Sequence, residues 1–288
     1  MPRNVTPVFV LLLGAMAVGV IAPNGFAQDA TTTPAKSPDA AATKPDAVTT
    51  KAVDIPTRPG VTQRILVLTP QDPKAAVILF AGGNGGLKLT PTGAITSLAG
   101  NFLVRSRQLF AEQGLMTVVV DAPSDHQSPP YLAGGFRTTP QHVADIKAVI
   151  AWVRSQAKIP VWLVGTSHGT QSAAFVATQL TGADSPDGVV LTSTILNDDK
   201  EIPVPSLTLS KIKIPVLVVH HMQDGCSKCP YSGVPALMAK FTAAPKKQML
   251  PIQGGQTRGD PCEAWSYHGF NGVEQNVVSQ IANWILAK

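Results

Sequence analysis

The stretch VWLVGTSHGTQSAA, residues 161–174, decides the fold. An apolar run at residues 161–164 leads into the pattern G-x-S-x-G at residues 165–169, and small residues follow. A buried strand, a sharp turn and a helix are the context in which this pattern presents a nucleophilic serine. The glycines leave room for backbone that a side chain would block, so the serine hydroxyl can project into a cleft. The stretch therefore predicts that Ser167 is a nucleophile in an α/β fold.

Short β-branched runs alternate with helical patterns along the rest of the chain, which predicts a mostly parallel sheet covered by helices. Thr139 is expected to cap a helix that begins at Pro140. In such sheets ligands bind where the strands end, so the functional residues are expected in the loops that follow the strands. The predicted strands are residues 65–68, 76–81, 117–121, 161–165, 188–192, 216–220 and 248–252.

The chain of 288 residues divides into three parts. Residues 1–27 resemble a cleaved signal peptide, because Arg3 precedes an apolar stretch and Ala27 is a small residue at the cleavage position. A membrane anchor is the alternative, but the apolar stretch is shorter than the roughly 20 residues that span a bilayer. Residues 28–60 contain five prolines and no aromatic residue, which predicts a disordered linker. Residues 61–288 then form one exported domain, periplasmic or secreted, without stable membrane insertion.

The composition is that of a globular protein. Hydrophobic residues make up 44% of the chain and charged residues 14%, which is too apolar for a disordered protein. The net charge is +5, and the basic residues are scattered along the sequence. No nucleic-acid partner is expected, because such partners need clustered basic residues.

Asp224 and His268 are the candidates for a catalytic acid and base. A serine nucleophile needs a base that takes its proton and a carboxylate that orients the base. Asp224 follows the apolar run at residues 216–220, and His268 lies before the last helical pattern. The order serine, acid, histidine is typical of hydrolases with this nucleophile turn. The alternatives are a turn-forming aspartate before Gly225 and an ordinary loop histidine.

A glycine-rich segment, FAGGNGG at residues 80–86, predicts an oxyanion-binding loop. Backbone N–H groups in such loops can converge on one anion. The N–H of His168, at the start of a helix, is the first expected donor, and Gly83 or Asn84 supplies the second. A phosphate-binding loop is the alternative, but Lys88 does not lie in a G-K-[ST] element.

All three cysteines fall in the two loops that contain Asp224 and His268. Export implies an oxidising compartment, so one disulfide and one thiol are expected. A Cys226–Cys262 disulfide is favoured because it would tie the two loops together, and Cys226–Cys229 is the alternative. Zinc bound by the three cysteines and His268 is a further alternative. It would consume the base, so neither a metal nor any other cofactor is expected.

Four segments together resemble the alpha/beta-hydrolase superfamily, in particular its small exported members that are similar to dienelactone hydrolase. They are FAGGNGG, GTSHG, HHMQDGC and SYHGF, in this order. The resemblance covers residues 64–288 and implies a mainly parallel eight-stranded sheet with Ser167 as nucleophile, Asp224 as acid and His268 as base. Two departures exist: serine replaces the cysteine nucleophile of dienelactone hydrolases, which disfavours that substrate, and Gly82-Gly83 replaces the usual His-Gly pair.

The predicted function is that of an exported serine hydrolase that cleaves a carboxylic ester, either small or polymer-borne, through an acyl-enzyme intermediate. The segment between residues 192 and 216 is too short for a large cap domain, so an open cleft is expected. His126, Tyr131 and Phe136 are candidate substrate contacts, with packing as the alternative. An exported binding protein without turnover, or a peptidase or thioesterase of the same fold, are the alternative functions.

Overall fold

The computed structural model describes residues 48–287. The signal peptide predicted for residues 1–27 and the first part of the predicted linker lie outside this range. Between residues 48 and 287, no helix has the length and the apolar character that crossing a membrane requires.

Eight strands in the described part of the chain form one sheet in the order β1-β2-β4-β3-β5-β6-β7-β8. Strand β2 pairs antiparallel with β1 and with β4, and every other neighbouring pair is parallel. The prediction of a mostly parallel, eight-stranded sheet is therefore confirmed. The strands are β1 (Thr49–Arg58), β2 (Val61–Thr69), β3 (Ala75–Phe80), β4 (Leu115–Pro123), β5 (Val161–Thr166), β6 (Gly188–Thr192), β7 (Val216–His221) and β8 (Lys247–Ile252).

Strand β1 corrects the end of the disordered linker that was predicted for residues 28–60, whereas residues 28–47 lie outside the described range. It pairs with β2 along its length, from Thr49 opposite Thr69 to Arg58 opposite Val61, and it buries Ile55. The prediction rested on prolines and on the lack of aromatic residues, but β1 is an edge strand, where a proline without an N–H group is tolerated. The order of residues 49–58 therefore comes from pairing with β2, which composition does not report.

Six helices connect the strands within residues 48–287. Thr139 caps α3 as predicted, because its side chain accepts a hydrogen bond from the His142 N–H at 3.2 Å. The helical pattern that begins at Leu103 forms two short helices, which meet at Ser106. The helices are α1 (Phe102–Arg105), α2 (Arg107–Glu112), α3 (Pro140–Gln156), α4 (Gly169–Gln179), α5 (Val234–Lys240) and α6 (Glu274–Leu286).

Two apolar layers hold the helices against the two faces of the sheet. Residues of α3, α4 and α5 pack in one layer, and residues of α2 and α6 pack in the other. Neighbouring residues of the buried parallel strands alternate between the layers: Ile78 belongs to the first and Leu79 to the second. Between β6 and β7 the chain forms only two single 3-10 turns, Val204–Ser206 and Leu209–Lys211. The prediction that a large cap domain is lacking holds for this part of the described chain.

Candidate active site

Ser167 lies in the sharp turn between β5 and α4. Its φ is +52°, a left-handed conformation that residues other than glycine rarely adopt. The turn requires glycines on both sides of the serine. A Cβ on Gly165 would collide with the carbonyl oxygen of Gly169, and a Cβ on Gly169 would collide with that of Phe80. The strained backbone holds Ser167 at the wall of a cavity of about 450 Å³.

His268 and Asp224 form a buried hydrogen-bonded pair beside this cavity. The Nδ1–H of His268 donates to Oδ2 of Asp224 at 2.9 Å, and the N–H of Cys226 donates to Oδ1 at 2.9 Å. Burial by itself would raise the pKa of Asp224, but hydrogen bonds from His220 and His268 lower it to about 2. The carboxylate is therefore ionised at neutral pH. It holds the imidazole in the tautomer whose Nε2 can accept a proton.

The cavity is lined by both Ser167 and His268. The Nε2 atom of His268 is buried and has no hydrogen-bond partner among residues 48–287, so no hydrogen bond joins it to the hydroxyl of Ser167. In hydrolases such bonds often form only when substrate binds. Ser167, Asp224 and His268 thus lie together beyond the carboxyl ends of the strands, and Nε2 of His268 is available to accept a proton.

His220 is a member of the site that the sequence analysis did not identify. Its Nε2 lies 2.8 Å from the carbonyl oxygen of Cys229 and 3.4 Å from Oδ2 of Asp224. A carbonyl only accepts hydrogen bonds, so Nε2 carries the hydrogen and directs it at the carboxylate as well. The four-residue spacing between His220 and Asp224 could have indicated this contact. A tight turn directly after β7 brings Asp224 back beside the last residues of that strand. The Asp224 N–H closes that turn on the carbonyl of His221 at 3.1 Å.

Residues from two loops beside the cavity have backbone N–H groups that are free to bind an oxyanion. The N–H of His168, at the start of α4, and that of Gly83 donate to no other residue in the described range. Both residues line the cavity, whereas Asn84 does not. The side chain of Asn84 instead accepts the N–H of Gly86 at 3.0 Å. Of the two candidates for the second oxyanion donor, the geometry favours Gly83.

Arg137 is the second residue that the sequence analysis missed. It is 1% exposed, and its guanidinium donates to the carbonyl oxygens of Ala81 and Gly83 at 3.0 and 3.1 Å and to Oγ of Ser172 at 3.0 Å. Burial lowers the pKa of Arg137 to about 10, so it remains a cation at neutral pH. These two bonds fix the Ala81–Gly82 and Gly83–Asn84 peptides, which flank the peptide that carries the N–H of Gly83. Arg137 therefore holds the oxyanion loop on both sides of its candidate donor.

The cavity wall has apolar and polar parts. Leu98, Phe102 and Trp265 supply large apolar side chains. His168 and Lys228 supply polar side chains, and both bind Oδ2 of Asp198, at 2.9 and 3.0 Å. Apolar and polar groups of a substrate can therefore both find contacts in the cavity.

His126, Tyr131 and Phe136 do not line this cavity, which corrects the expectation that they contact substrate there. Tyr131 and Phe136 belong to a small buried apolar cluster with Ala122 and Leu132. The ring of His126 packs on that of Phe136 with centroids 3.9 Å apart, and its Nδ1 bonds Asp125. Burying aromatic area is favourable wherever the loop can fold onto the core, so packing prevails over exposure at the cleft.

A disulfide joins Cys226 to Cys262, which is the favoured pairing and not the Cys226–Cys229 alternative. It links the loop of Asp224 to the loop of His268. Cys229 is a free, buried thiol, and burial raises the pKa of this thiol. Ligand atoms of Cys226, Cys229 and His268 lie within 4.8 Å of one another, but the sulfur of Cys226 is committed to the disulfide. With the disulfide formed, the cluster therefore lacks the four free ligands of a structural zinc site.

No family model and no curated sequence matches this chain. Solved structures do resemble it. A dienelactone hydrolase from Anabaena variabilis is 14% identical, with a TM-score of 0.57, over 83% of this chain and 97% of that one. An esterase from Pyrococcus furiosus is 12% identical, with a TM-score of 0.59, over 83% and 91%.

A third similar structure is an acylaminoacyl peptidase from Pyrococcus horikoshii. It is 16% identical, with a TM-score of 0.56, and the match covers 83% of this chain and 41% of that one. Hydrolases with different substrates thus share this architecture. The chain has the alpha/beta-hydrolase fold, as the sequence motifs predicted. A fold does not imply one activity, so the activity of this chain depends on the residues of its site.

Proposed function

We propose that this chain is an exported serine hydrolase that cleaves carboxylic esters through an acyl-enzyme intermediate. The observation that carries this proposal is the Asp224–His268 hydrogen bond beside the cavity that Ser167 lines in a strained backbone conformation. The Nε2 of His268 has no hydrogen-bond partner among the described residues, which supports the proposal because a base needs a free lone pair. The disulfide and the signal-like N-terminal sequence support export.

In the proposed reaction, Nε2 of His268 takes the proton of Ser167 as Oγ attacks the carbonyl carbon. The N–H groups of His168 and Gly83 stabilise the oxyanion, and one such donor contributes roughly 3 kcal/mol to transition-state stabilisation. His268 then returns the proton to the leaving alkoxide, and the alcohol departs. A water molecule, deprotonated by the same imidazole, hydrolyses the acyl-enzyme and restores Ser167.

An ester is the favoured substrate because its alkoxide leaving group demands less of the general acid than an amine does. The apolar part of the cavity wall, formed by Leu98, Phe102 and Trp265, suits an apolar substituent on such an ester. The substrate is a small or a polymer-borne ester, and no step of the reaction requires a cofactor.

A fluorophosphonate probe tests the nucleophile directly. We expect stoichiometric labelling of the purified protein, none in Ser167→Ala, and slow labelling in His268→Ala. Ser155→Ala, at the exposed end of α3, is the matched control and should label normally. A well-folded wild-type protein that remains unlabelled would contradict the proposal and favour the binding-protein alternative.

A substrate panel tests the reaction class. We expect acyl esters to be hydrolysed faster than the corresponding anilides and thioesters, and Ser167→Ala to lower kcat by a factor on the order of 10⁶. Faster cleavage of anilides or thioesters would favour the peptidase or the thioesterase alternative.

A further inference from the structure

We propose that reduction of the Cys226–Cys262 disulfide creates a zinc site formed by Cys226, Cys229, Cys262 and His268, and that zinc bound there switches the hydrolase off. The inhibitory part rests on the proposed function, whereas the metal site itself does not. In the oxidised state the buried thiol of Cys229 donates a hydrogen bond to the carbonyl oxygen of Ser193 at 3.4 Å, and it has no part in the proposed ester hydrolysis.

The donor atoms are already gathered in the oxidised protein. One ligand atom each of Cys226, Cys229 and His268 lies within 4.8 Å of the other two. The fourth donor, the sulfur of Cys262, is bonded to that of Cys226 and therefore lies beside the group. In a tetrahedral zinc site with metal–ligand distances of about 2.0–2.3 Å, ligands are spaced by roughly 3–4 Å. Once the disulfide opens, the sulfurs of Cys226 and Cys262 have to separate from their bonded distance to this spacing.

His268 has the hydrogen bonding of a zinc ligand. Its Nδ1–H donates to Asp224 at 2.9 Å, and its Nε2 is buried without a partner in the described chain. Zinc-bound histidines commonly donate their second ring N–H to a carboxylate, which orients the ring and increases its basicity. The C-x2-C spacing of Cys226 and Cys229 is also typical of structural zinc sites.

The cluster is accessible to a reductant and to a metal ion. Cys226 and Cys262 line the cavity, and Cys262 is an exposed residue. A phosphine gives two electrons to the disulfide and is oxidised to the phosphine oxide, with its oxygen taken from one water molecule. The two protons of that water complete the thiols of Cys226 and Cys262. Zinc then displaces the protons of the three thiols into solvent, while neutral His268 donates the Nε2 lone pair without losing a proton.

Metal binding and ester hydrolysis would compete for one atom. The Nε2 of His268 cannot take the proton of Ser167 while its lone pair is bound to zinc. In the oxidised protein the cluster offers only Cys229 and His268 as free ligands, which is too few for a tight site. Zinc should therefore inhibit the reduced protein and leave the oxidised protein active.

The test uses the folded protein, reduced anaerobically with a phosphine, which avoids the zinc binding of dithiols. We expect one zinc per reduced chain and, with cobalt, the thiolate charge-transfer and tetrahedral d–d absorption bands of a Cys3His site. Esterase activity should fall in proportion to bound zinc, to the background of Ser167→Ala. The oxidised protein is the control and should show neither the spectrum nor the inhibition.

Two variants separate the site from nonspecific binding. Cys229→Ser keeps the disulfide and should retain the basal activity, but after reduction it should bind zinc at least about 10-fold more weakly. Cys262→Ser cannot form the disulfide and should bind zinc through three protein ligands without any reductant. Equal zinc affinity in reduced wild type and reduced Cys229→Ser would overturn the proposal.

The outcomes for metal and for activity are distinguishable. A tetrahedral cobalt spectrum in a protein that never hydrolyses esters would keep the metal site and reject the proposed function. An active oxidised protein whose reduced form takes up no zinc would reject the metal site alone. If reduction abolishes the near-UV circular dichroism of the chain, zinc must restore it, and failure to do so overturns the proposal.

Discussion

The two sides of the cavity are held in place by different interactions. The oxyanion loop, residues 81–86, is held by the buried cation of Arg137, which bonds two of its carbonyl oxygens. The loops of Asp224 and His268 are held by a covalent bond, the Cys226–Cys262 disulfide, together with the hydrogen bond between the two side chains. No carboxylate contacts the Arg137 guanidinium in the part of the chain that the structure describes.

This difference predicts how much stability is lost when a residue on either side of the cavity is replaced. A buried cation and its acceptors depend on each other, because removing one leaves the others buried and unsatisfied in the folded state. A disulfide stabilises mainly by restricting the unfolded chain, so its loss leaves the native packing largely intact. The oxyanion side should therefore be the more sensitive to a single substitution.

Replacing Arg137 should have the largest effect on stability. We expect Arg137→Met to lower the free energy of unfolding by about 4 kcal/mol, because three buried acceptors lose a charged donor. Urea denaturation measures this change. Lys147→Met, which removes an exposed ion pair with Asp184, is the matched control and should cost less than about 1 kcal/mol. Similar costs for the two variants would mean that Arg137 does not hold the loop.

Removing the disulfide should have a smaller effect. The bond closes a loop with a sequence separation of 36 residues, so Cys226→Ser with Cys262→Ser should lower the free energy of unfolding by at most about 3.8 kcal/mol. The same denaturation experiment applies, with Cys229→Ala as the control that leaves the disulfide in place. A loss greater than that of Arg137→Met would reverse the comparison.

His142, whose ring is affected by the charge of Arg137, makes the stability of the fold depend on pH. Both ring nitrogens are buried without partners in the described range, and burial together with the nearby charge of Arg137 lowers the pKa of His142 to about 3. The unfolded chain binds this proton below about pH 6.5 and the folded chain does not, so stability is lost as the pH falls from about 6.5 to 3.

The substitution His142→Leu should remove this loss. Relative to wild type, we expect the variant to gain about 2.5 kcal/mol more at pH 4.5 than at pH 8, measured by urea denaturation at both pH values. His126→Leu, in which a partly exposed ring is replaced, is the control. An equal difference between wild type and His142→Leu at the two pH values would show that the unfolded state gains no proton from this residue.

Asp224, beside the disulfide, also loses stability as the pH falls, but at a lower pH than His142 and with the smallest effect. Its folded pKa of about 2 lies below the ordinary value of 3.8, so the carboxylate contributes stability that is fully present above about pH 4. This contribution, about 2 kcal/mol, is lost as the pH falls towards 2. The stability difference between wild type and Asp224→Asn should therefore shrink between pH 6 and pH 2. The exposed Asp199→Asn is the control, and a constant difference for Asp224→Asn would reject this account.

Local patterns predicted much of the fold, and regions that depend on distant contacts were missed. The turn at Ser167 could be predicted because the glycines that permit it are its immediate neighbours. Strand β1 could not, because its mostly polar sequence carries no strong strand pattern and its order depends on pairing with β2. The positions of Tyr131 and Phe136 were mistaken for the same reason: a loop sequence does not show onto which surface its aromatic rings fold.

The amino-acid sequence alone determined the alternation of strands and helices, the nucleophile turn and the order of Ser167, Asp224 and His268, because each depends on neighbouring residues and on strand–helix periodicity. Only the tertiary structure decided which polar groups meet. Arg137 bonds carbonyls 54 and 56 residues away, and the cysteine that pairs with Cys226 lies 36 residues further along the chain. Such contacts arise because burying a polar group without a partner costs free energy, and the folded sheet determines which partners are within reach.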